Sequence, residues 1–278
     1  EGTHLEPDQK YGYAYLNATS RALELCSSVK NCLKIGVLIH AYYLDILPEL
    51  LKYLKNIKEE FSILLSVSIG NREDAIIILK SHGFSKFIIK EVENVGFDIA
   101  PMICAFQSEI FEFDLICKIH TKKSTHNNIE FGKDWRNFCL DYLLKDEQSV
   151  RKIINEFNIN EELGIIYPPG YPPVLDWIKK NGANLNQIEK ILPESLVPAS
   201  FKNLVWPIGS FFWFRPAALQ PIFDEKFILQ DFEPKDFSLF DGNGTVRDLT
   251  LAHSIERVLC YIARSSGFKT YQIANTLF

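Results

Sequence analysis

Apolar runs of strand length alternate with helically periodic stretches through the first 120 residues. "CLKIGVLIHAYY" (32–43) is a continuous apolar run and reads as a buried strand. "LPELLKYLKNI" (47–57) then repeats its apolar positions at helical spacing. "FSILLSVSIG" (61–70) is a second strand, and "REDAIIILKSHG" (72–83) a helix closing at Gly83. "KFIIKEVEN" (86–94) is a third strand, "VGFDIAPMICAFQSEIF" (95–111) a turn running into a helix, and "FDLICKIHT" (113–121) a fourth strand. Strands alternating with helices predict an α/β fold, a wound, mostly parallel sheet with helices on both faces. Ligands of such sheets bind beyond the carboxyl ends of the strands. Those ends read His40 to Tyr43, Ser68 to Asn71, Asn94 to Asp98 and His120 to Ser124, nearly all polar, small or aromatic. One rim of the sheet is therefore the place to look for a ligand.

The remainder is less regular. "KDWRNFCLDYLL" (133–144) and "DEQSVRKIINEFN" (146–158) read as helices, "LGIIYPP" (163–169) as a short strand, and "PPGYPP" (168–173) as a loop. "LPESLVPASFKNLVWP" (192–207) is punctuated by proline and reads as a movable segment over the site. "IGSFFWFRPAAL" (208–219) predicts a strand ending in a helix start, and 241–267 a Gly-rich turn feeding a long helix that stops near Gly267. Residues 1–31 read as a polar lead and a helix capped by Ser20, and 32–278 as one domain. Within it, 32–126 and 127–278 make two halves, the first regular and the second less so.

Charge and cysteine content narrow the function classes. A net charge of −5 lacks the basic footprint of nucleic-acid binding, so no nucleic-acid partner is expected. The six cysteines show no CxxC pair, and several lie inside apolar runs, which predicts free buried thiols. No apolar run reaches the roughly 18 residues of a membrane span. The chain begins Glu-Gly-Thr-His, which suggests a piece of a longer protein whose other domains are partners.

Three clusters carry candidate chemistry. In "ENVGFDIAP", Asn94 and Gly96 suit a tight turn, and Asp98 either caps the following helix or, with Asn94, holds polar groups of a sugar or base. In "KIHTKKSTH", His120, Thr121, Lys122, Lys123 and Ser124 form a donor-rich strand end suited to phosphate oxygens. The bland alternative is a solvated basic turn. In "RDLTLAHSIERV", His253 and Glu256 share a helix face, as a base with its orienter or as a structural pair, and Asp248 stands just ahead. HExxH, GxSxG, GxxxxGK[ST] and GxGxxG are all absent, which disfavours a zinc protease, a serine hydrolase, a P-loop NTPase and a Rossmann dinucleotide enzyme.

In order along the chain, "IGVLIHAYYLDILPELLKYLKNI", "ENVGFDIAPMI", "FDLICKIHTKKS", "GSFFWFRPAAL" and "LTLAHSIERVLCYIA" resemble the rhamnan synthesis protein F family of bacterial polysaccharide glycosyltransferases. The resemblance runs from about Leu33 to Gly267. It implies a GT-A-like fold and transfer of rhamnose, galactose or another hexose from a UDP- or dTDP-linked donor. The acceptor would be a lipid-linked glycan of a bacterial surface polysaccharide such as O-antigen, at the inner, cytoplasmic face of the cytoplasmic membrane. Many GT-A enzymes end their fourth strand in a metal-binding DxD. Here that position reads His120-Thr121-Lys122, so no metal ligands and no required cofactor are expected. Lys122 and Lys123, with His120 and Ser124, would neutralise the departing diphosphate instead.

By the same resemblance 32–126 would be the nucleotide-sugar-binding half, with His40, Tyr42, Asn94, Gly96, Asp98 and Thr121 completing the donor side, and 127–278 the acceptor and catalytic half. Phe212, Trp213 and Arg215 would form the acceptor side, and Asp248, His253 and Glu256 are the candidate catalytic residues. The family is expected to carry Arg between the Gly and Asp of the "ENVGFDIAPMI" block, where this chain has Phe97. That departure leaves the donor open. Two other readings stand beside this one: a non-catalytic carbohydrate- or nucleotide-binding module of a synthesis complex, and a metal-dependent hydrolase using His40, Asp98 and His120.

Overall fold

The computed structural model describes residues 13–15, 33–121, 123, 129–181, 185, 188–202, 204–233, 239–240, 245–246 and 250–273. Among them, eight strands form one sheet: β1 (Tyr13–Tyr15), β2 (Ile35–Ala41), β3 (Phe61–Ser68), β4 (Phe87–Val92), β5 (Leu115–His120), β6 (Leu163–Tyr167), β7 (Phe212–Phe214) and, last in the chain, β10 (Lys269–Gln272). A separate two-stranded ladder pairs β8 (Leu239–Phe240) with β9 (Thr245–Val246). The order across the main sheet is β1-β10-β6-β7-β5-β2-β3-β4. Every pairing is parallel except those of β7, which runs antiparallel to both β5 and β6. The wound, mostly parallel α/β sheet expected from the pattern is thus observed, with one reversed strand in its middle.

The strands bury both faces, so their sequences are continuous apolar runs rather than alternations. Residue parity still sorts them. Val37, Ile39, Ile63, Leu65, Cys117, Ile119 and Trp213 face one core, packed by helices Leu47–Leu54, Ile129–Leu144 and Glu147–Ile159. Leu38, Leu64, Ile116, Phe212 and Phe214 face the other, built by residues 99–110 and helix Leu251–Ser265. Helices therefore cover both faces.

The first half follows the expected elements closely. Helices Leu47–Leu54 and Arg72–Ser81 lie where periodicity placed them. The 95–111 stretch is less regular than expected: a π turn over Pro101–Ala105 and a 3-10 turn over Ile110–Glu112. In the second half, helix Pro172–Asn181 begins inside the proline stretch read as a loop, because proline is well tolerated in a helix's first turn. The lead contributes β1 to the sheet edge, and the helix expected after Ser20 lies outside the described residues. Cys117, Cys139 and Cys260 are buried thiols, and Cys104 is partly buried.

Candidate active site

The second-core face of the sheet turns polar at its carboxyl end. Lys118 pairs in register with Leu38, and His120 with His40, which in turn pairs with Ser66. These four polar residues therefore lie on one face across three adjacent strands. His40 Nδ1 and Ser66 Oγ are hydrogen-bonded at 2.9 Å.

Lys118 is 1% exposed. Its ammonium has three donors, and three acceptors meet it: the Asp98 carboxylate, the Ser210 carbonyl at 3.0 Å and the Ser210 hydroxyl at 3.2 Å. A buried charge needs such complete pairing, since desolvation costs several kcal/mol per ion. His120 lies beside this pair, its Nε2 3.9 Å from Asp98 Oδ2. The same Nε2 is 2.8 Å from the Gly209 carbonyl, which can only accept, so Nε2 carries the proton. The imidazole stacks on Phe211 with centroids 4.3 Å apart.

Two backbone turns deliver these partners. Gly96 (φ 61°) and Phe97 (φ 54°) are successive left-handed residues ahead of Asp98. A side chain at position 96 would collide with Ala100 and Phe232, so glycine is required there on space as well as on φ. The second turn, Gly209 (φ 93°) and Ser210 (φ 66°), enters β7 in reverse, which is how the antiparallel strand brings its leading end to the carboxyl ends of its parallel neighbours. Gly209 also bridges to the long helix: its N–H donates to Glu256 Oε1 at 2.8 Å. One turn earlier on that helix, His253 Nδ1 is 2.7 Å from the hydroxyl of Thr250, the N-cap residue. The His253 ring packs edge-on against Phe97, centroids 4.8 Å apart.

Four segments distant in sequence therefore meet: 96–98, 118–120, 209–210 and 253–256. Asp98, His120, His253 and Glu256 come together as candidate residues, and Asp98 pairs with Lys118. Asn94 Nδ2 donates to the Tyr42 hydroxyl at 3.4 Å, joining two rim loops. The Thr121 hydroxyl accepts the Tyr43 N–H at 3.0 Å and holds the turn after β2. Lys123 pairs with Asp45 at 2.6 Å and lies 4.5 Å from the Tyr43 ring centroid. Lys122, Ser124 and Asp248 lie outside the described residues. Among the described residues, no three His, Cys, Asp or Glu side chains form a group able to hold a metal.

The acceptor surface expected at Phe212, Trp213 and Arg215 is corrected by their burial and bonding. Phe212 and Trp213 are 0% exposed, one in each core, so neither ring has a face to offer a sugar. Trp213 Nε1 donates to the Leu143 carbonyl at 3.4 Å. Arg215 spends its guanidinium on the carbonyls of Leu163, Phe157 and Asn160.

A profile described as rhamnan synthesis protein F matches residues 6–268. The chain belongs to that family. Two relatives in Xanthomonas campestris pv. campestris, strains B100 and ATCC 33913, each called uncharacterized protein WxcX, are 31% identical over 287 residues, covering 100% of this chain. This rhamnan synthesis protein F domain spans only 38% of their length. Among solved structures, it resembles glucosyl-3-phosphoglycerate synthase from Mycobacterium tuberculosis, in complex with Mg2+ and UDP, at 9% identity and TM-score 0.43, over 95% of this chain and 77% of that one. It also resembles 4-diphosphocytidyl-2C-methyl-D-erythritol synthase from Anaerococcus prevotii, at 10% identity and TM-score 0.37, over 88% and 89%.

Sequence reasoning about this member of the rhamnan synthesis protein F family missed Lys118 and Ser210. Lys118 did leave a signal, as a charged residue inside the apolar strand "LICKI". Such a residue stays buried only when a partner arrives from elsewhere in the chain. Among the described residues, no helix is long and apolar enough to cross a membrane.

Proposed function

We propose that this domain is a glycosyltransferase that moves a hexose or deoxyhexose from a nucleotide-diphosphate donor to a growing bacterial surface polysaccharide. Family membership supports the class of reaction. The observation that carries the reading to residues is the meeting of Asp98, Lys118, His120, Gly209 and Glu256 at the carboxyl ends of the parallel strands, where ligands of wound sheets bind. The nucleotide and diphosphate take the rim of His40, Tyr42, Asn94, Gly96 and Thr121, and Lys122, Lys123 and Ser124 are proposed from their place in the sequence as further donor contacts. The acceptor is a lipid-linked glycan at the inner face of the cytoplasmic membrane.

In the transfer, an acceptor hydroxyl oxygen bonds to the anomeric carbon while the bond from that carbon to the diphosphate breaks. The hydroxyl proton goes to a base, and the diphosphate leaves with the electron pair. Glu256, His253 and Asp248 are the proposed bases. Glu256 is favoured over His253, because its carboxylate accepts from the Gly209 turn that also binds His120. Asp98 and Lys118 act as positioning residues, since their charges are spent on each other and on Ser210.

Lys123 is suited to the diphosphate for a physical reason. Its pair with Asp45 is partly exposed, and such pairs are worth about 0–1 kcal/mol, so a phosphate displaces Asp45 at little cost. Lysines carry their own charge, and the Asp98 carboxylate is already paired with the Lys118 ammonium. Donor binding is therefore proposed to need no DxD-bound metal. Calorimetric titration with UDP, dTDP and GDP and their sugar conjugates, with and without EDTA, tests this. Binding of one nucleotide in EDTA is expected. Binding lost in EDTA and restored by Mn2+ or Mg2+ contradicts the metal-free reading, and no binding to any of them favours a non-catalytic module.

A further inference from the structure

With Phe212 and Trp213 buried, the acceptor side needs another surface, and an aromatic cluster stands against the same turn that holds His120 and Glu256. Helix Ile129–Leu144 presents Phe131, Trp135, Phe138 and Tyr142 at i, i+4, i+7 and i+11, one stripe along its length. Tyr171, from the loop before helix Pro172–Asn181, packs onto that stripe. The Trp135 and Tyr171 planes lie within 13° of parallel with centroids 6.4 Å apart. Phe131 meets both edge-on, at 6.1 Å and 5.6 Å. Phe131, Trp135 and Tyr171 all keep part of their surface exposed, and Phe131 and Tyr171 stand outside both buried cores.

The position of this cluster matters more than its composition. A Cβ built on Gly209 would lie 2.9 Å from the Trp135 ring, so the indole is packed directly under the backbone whose N–H binds Glu256 and whose carbonyl binds His120. The loop carrying Tyr171 is tied to the same turn, because a side chain at Gly170 would crowd Ile208. Asp134, exposed and three residues after Phe131, borders the stripe with a carboxylate able to accept sugar hydroxyls. Aromatic faces beside a carboxylate match the chemistry of a neutral glycan. Its C–H faces, and the methyl group of a deoxyhexose, pack on the rings while its hydroxyls bond the acid.

We propose that Phe131, Trp135 and Tyr171 form the platform that binds the acceptor glycan, placing its terminal sugar beside the Gly209 turn. The proposal rests on the glycosyltransferase reading for its choice of ligand, but its test does not depend on turnover. The experiment titrates the folded chain with rhamnose and galactose trisaccharides, following tryptophan fluorescence and ligand-observed NMR, alongside the nucleotide titration described above. Trp135→Ala is expected to weaken trisaccharide binding by about tenfold or more, Trp135→Phe by only a few-fold, and neither to change nucleotide affinity. Tyr171→Ala, at a partly exposed position, is expected to weaken it too and covers the case in which Trp135→Ala does not fold. Trisaccharide affinity unchanged in Trp135→Ala and Tyr171→Ala, or binding of neither trisaccharide by the unaltered chain, overturns the platform. Trp135-dependent glycan binding without any nucleotide binding leaves the platform standing and removes the transferase reading.

Discussion

Lys118 and Lys123 lie five residues apart on one strand and its following turn, and they illustrate two uses of the same side chain. Lys118 is buried, and all three of its donors are met by Asp98 and Ser210. Lys123 is partly exposed and pairs with an Asp45 side chain that is 67% exposed. In water a pair is screened and easily exchanged, whereas in the core the attraction between the two charges offsets the cost of desolvating both. The buried pair therefore fixes the geometry of the site, and the exposed one remains free to trade Asp45 for a phosphate. The difference gives the buried lysine a structural role and supports the proposal that the exposed one meets the diphosphate.

The comparison is broken most severely at Lys118. Lys118→Ala takes the ammonium from Asp98, whose side chain is only 14% exposed, and is expected to cost about 3–5 kcal/mol in urea denaturation. Replacing both partners, as Asp98→Asn with Lys118→Met, is expected to recover much of that loss, because no uncompensated charge remains. A double mutant as unstable as Lys118→Ala would show that the pair is not the reason.

Between the two lysines falls Asp146, an exposed carboxylate held by geometry rather than burial. It caps helix Glu147–Ile159 by accepting the Ser149 N–H at 2.8 Å, and that backbone hydrogen bond is the largest cause holding its pKa below the ordinary carboxylate value. Asp146→Ala is expected to cost about 1 kcal/mol at neutral pH. A carboxyl whose folded pKa is depressed stabilises above its unfolded value, near 3.9, and loses that contribution as pH falls through the folded value. The gap between wild type and Asp146→Ala in thermal denaturation should therefore close below about pH 4. A gap that stays constant down to pH 2 would mean that the cap acts without its charge.

The smallest stability effect belongs to Lys123→Ala, expected at less than about 1 kcal/mol by denaturation. The same variant should still weaken diphosphate binding in calorimetry. Loss of several kcal/mol of stability, or unchanged nucleotide affinity, would erase the contrast between the two lysines.

How much of this could be read beforehand follows the same division between local and distant causes. Strands β2, β3 and β5 are apolar runs whose burial on both faces is written locally, and Leu47–Leu54 carries its own helical period. Asp98, His120 and Glu256, all singled out from the sequence, do converge at the carboxyl ends of the strands. Lys118 was passed over because nothing near it in sequence explains its burial; its partners come from residues 98 and 210. Strand β10, "KTYQ", carries no local strand pattern and exists because β6 and β1 flank it. Trp213 was misread for the converse reason: an aromatic run signals a binding surface and a core equally well, and only the sheet's depth at β7 decides.

The most direct measurement is sugar transfer itself. Candidate nucleotide sugars, dTDP-rhamnose and UDP-galactose among them, are incubated with the chain and a rhamnose-containing lipid-linked acceptor, and the product is followed by mass spectrometry for wild type and Glu256→Gln. The account predicts transfer by the wild type and a loss of about 100-fold or more in Glu256→Gln, the scale of a positioned general base, with nucleotide affinity retained. Equal transfer by both proteins would remove Glu256 from the mechanism, and no transfer by wild type from any donor it binds would contradict the glycosyltransferase reading.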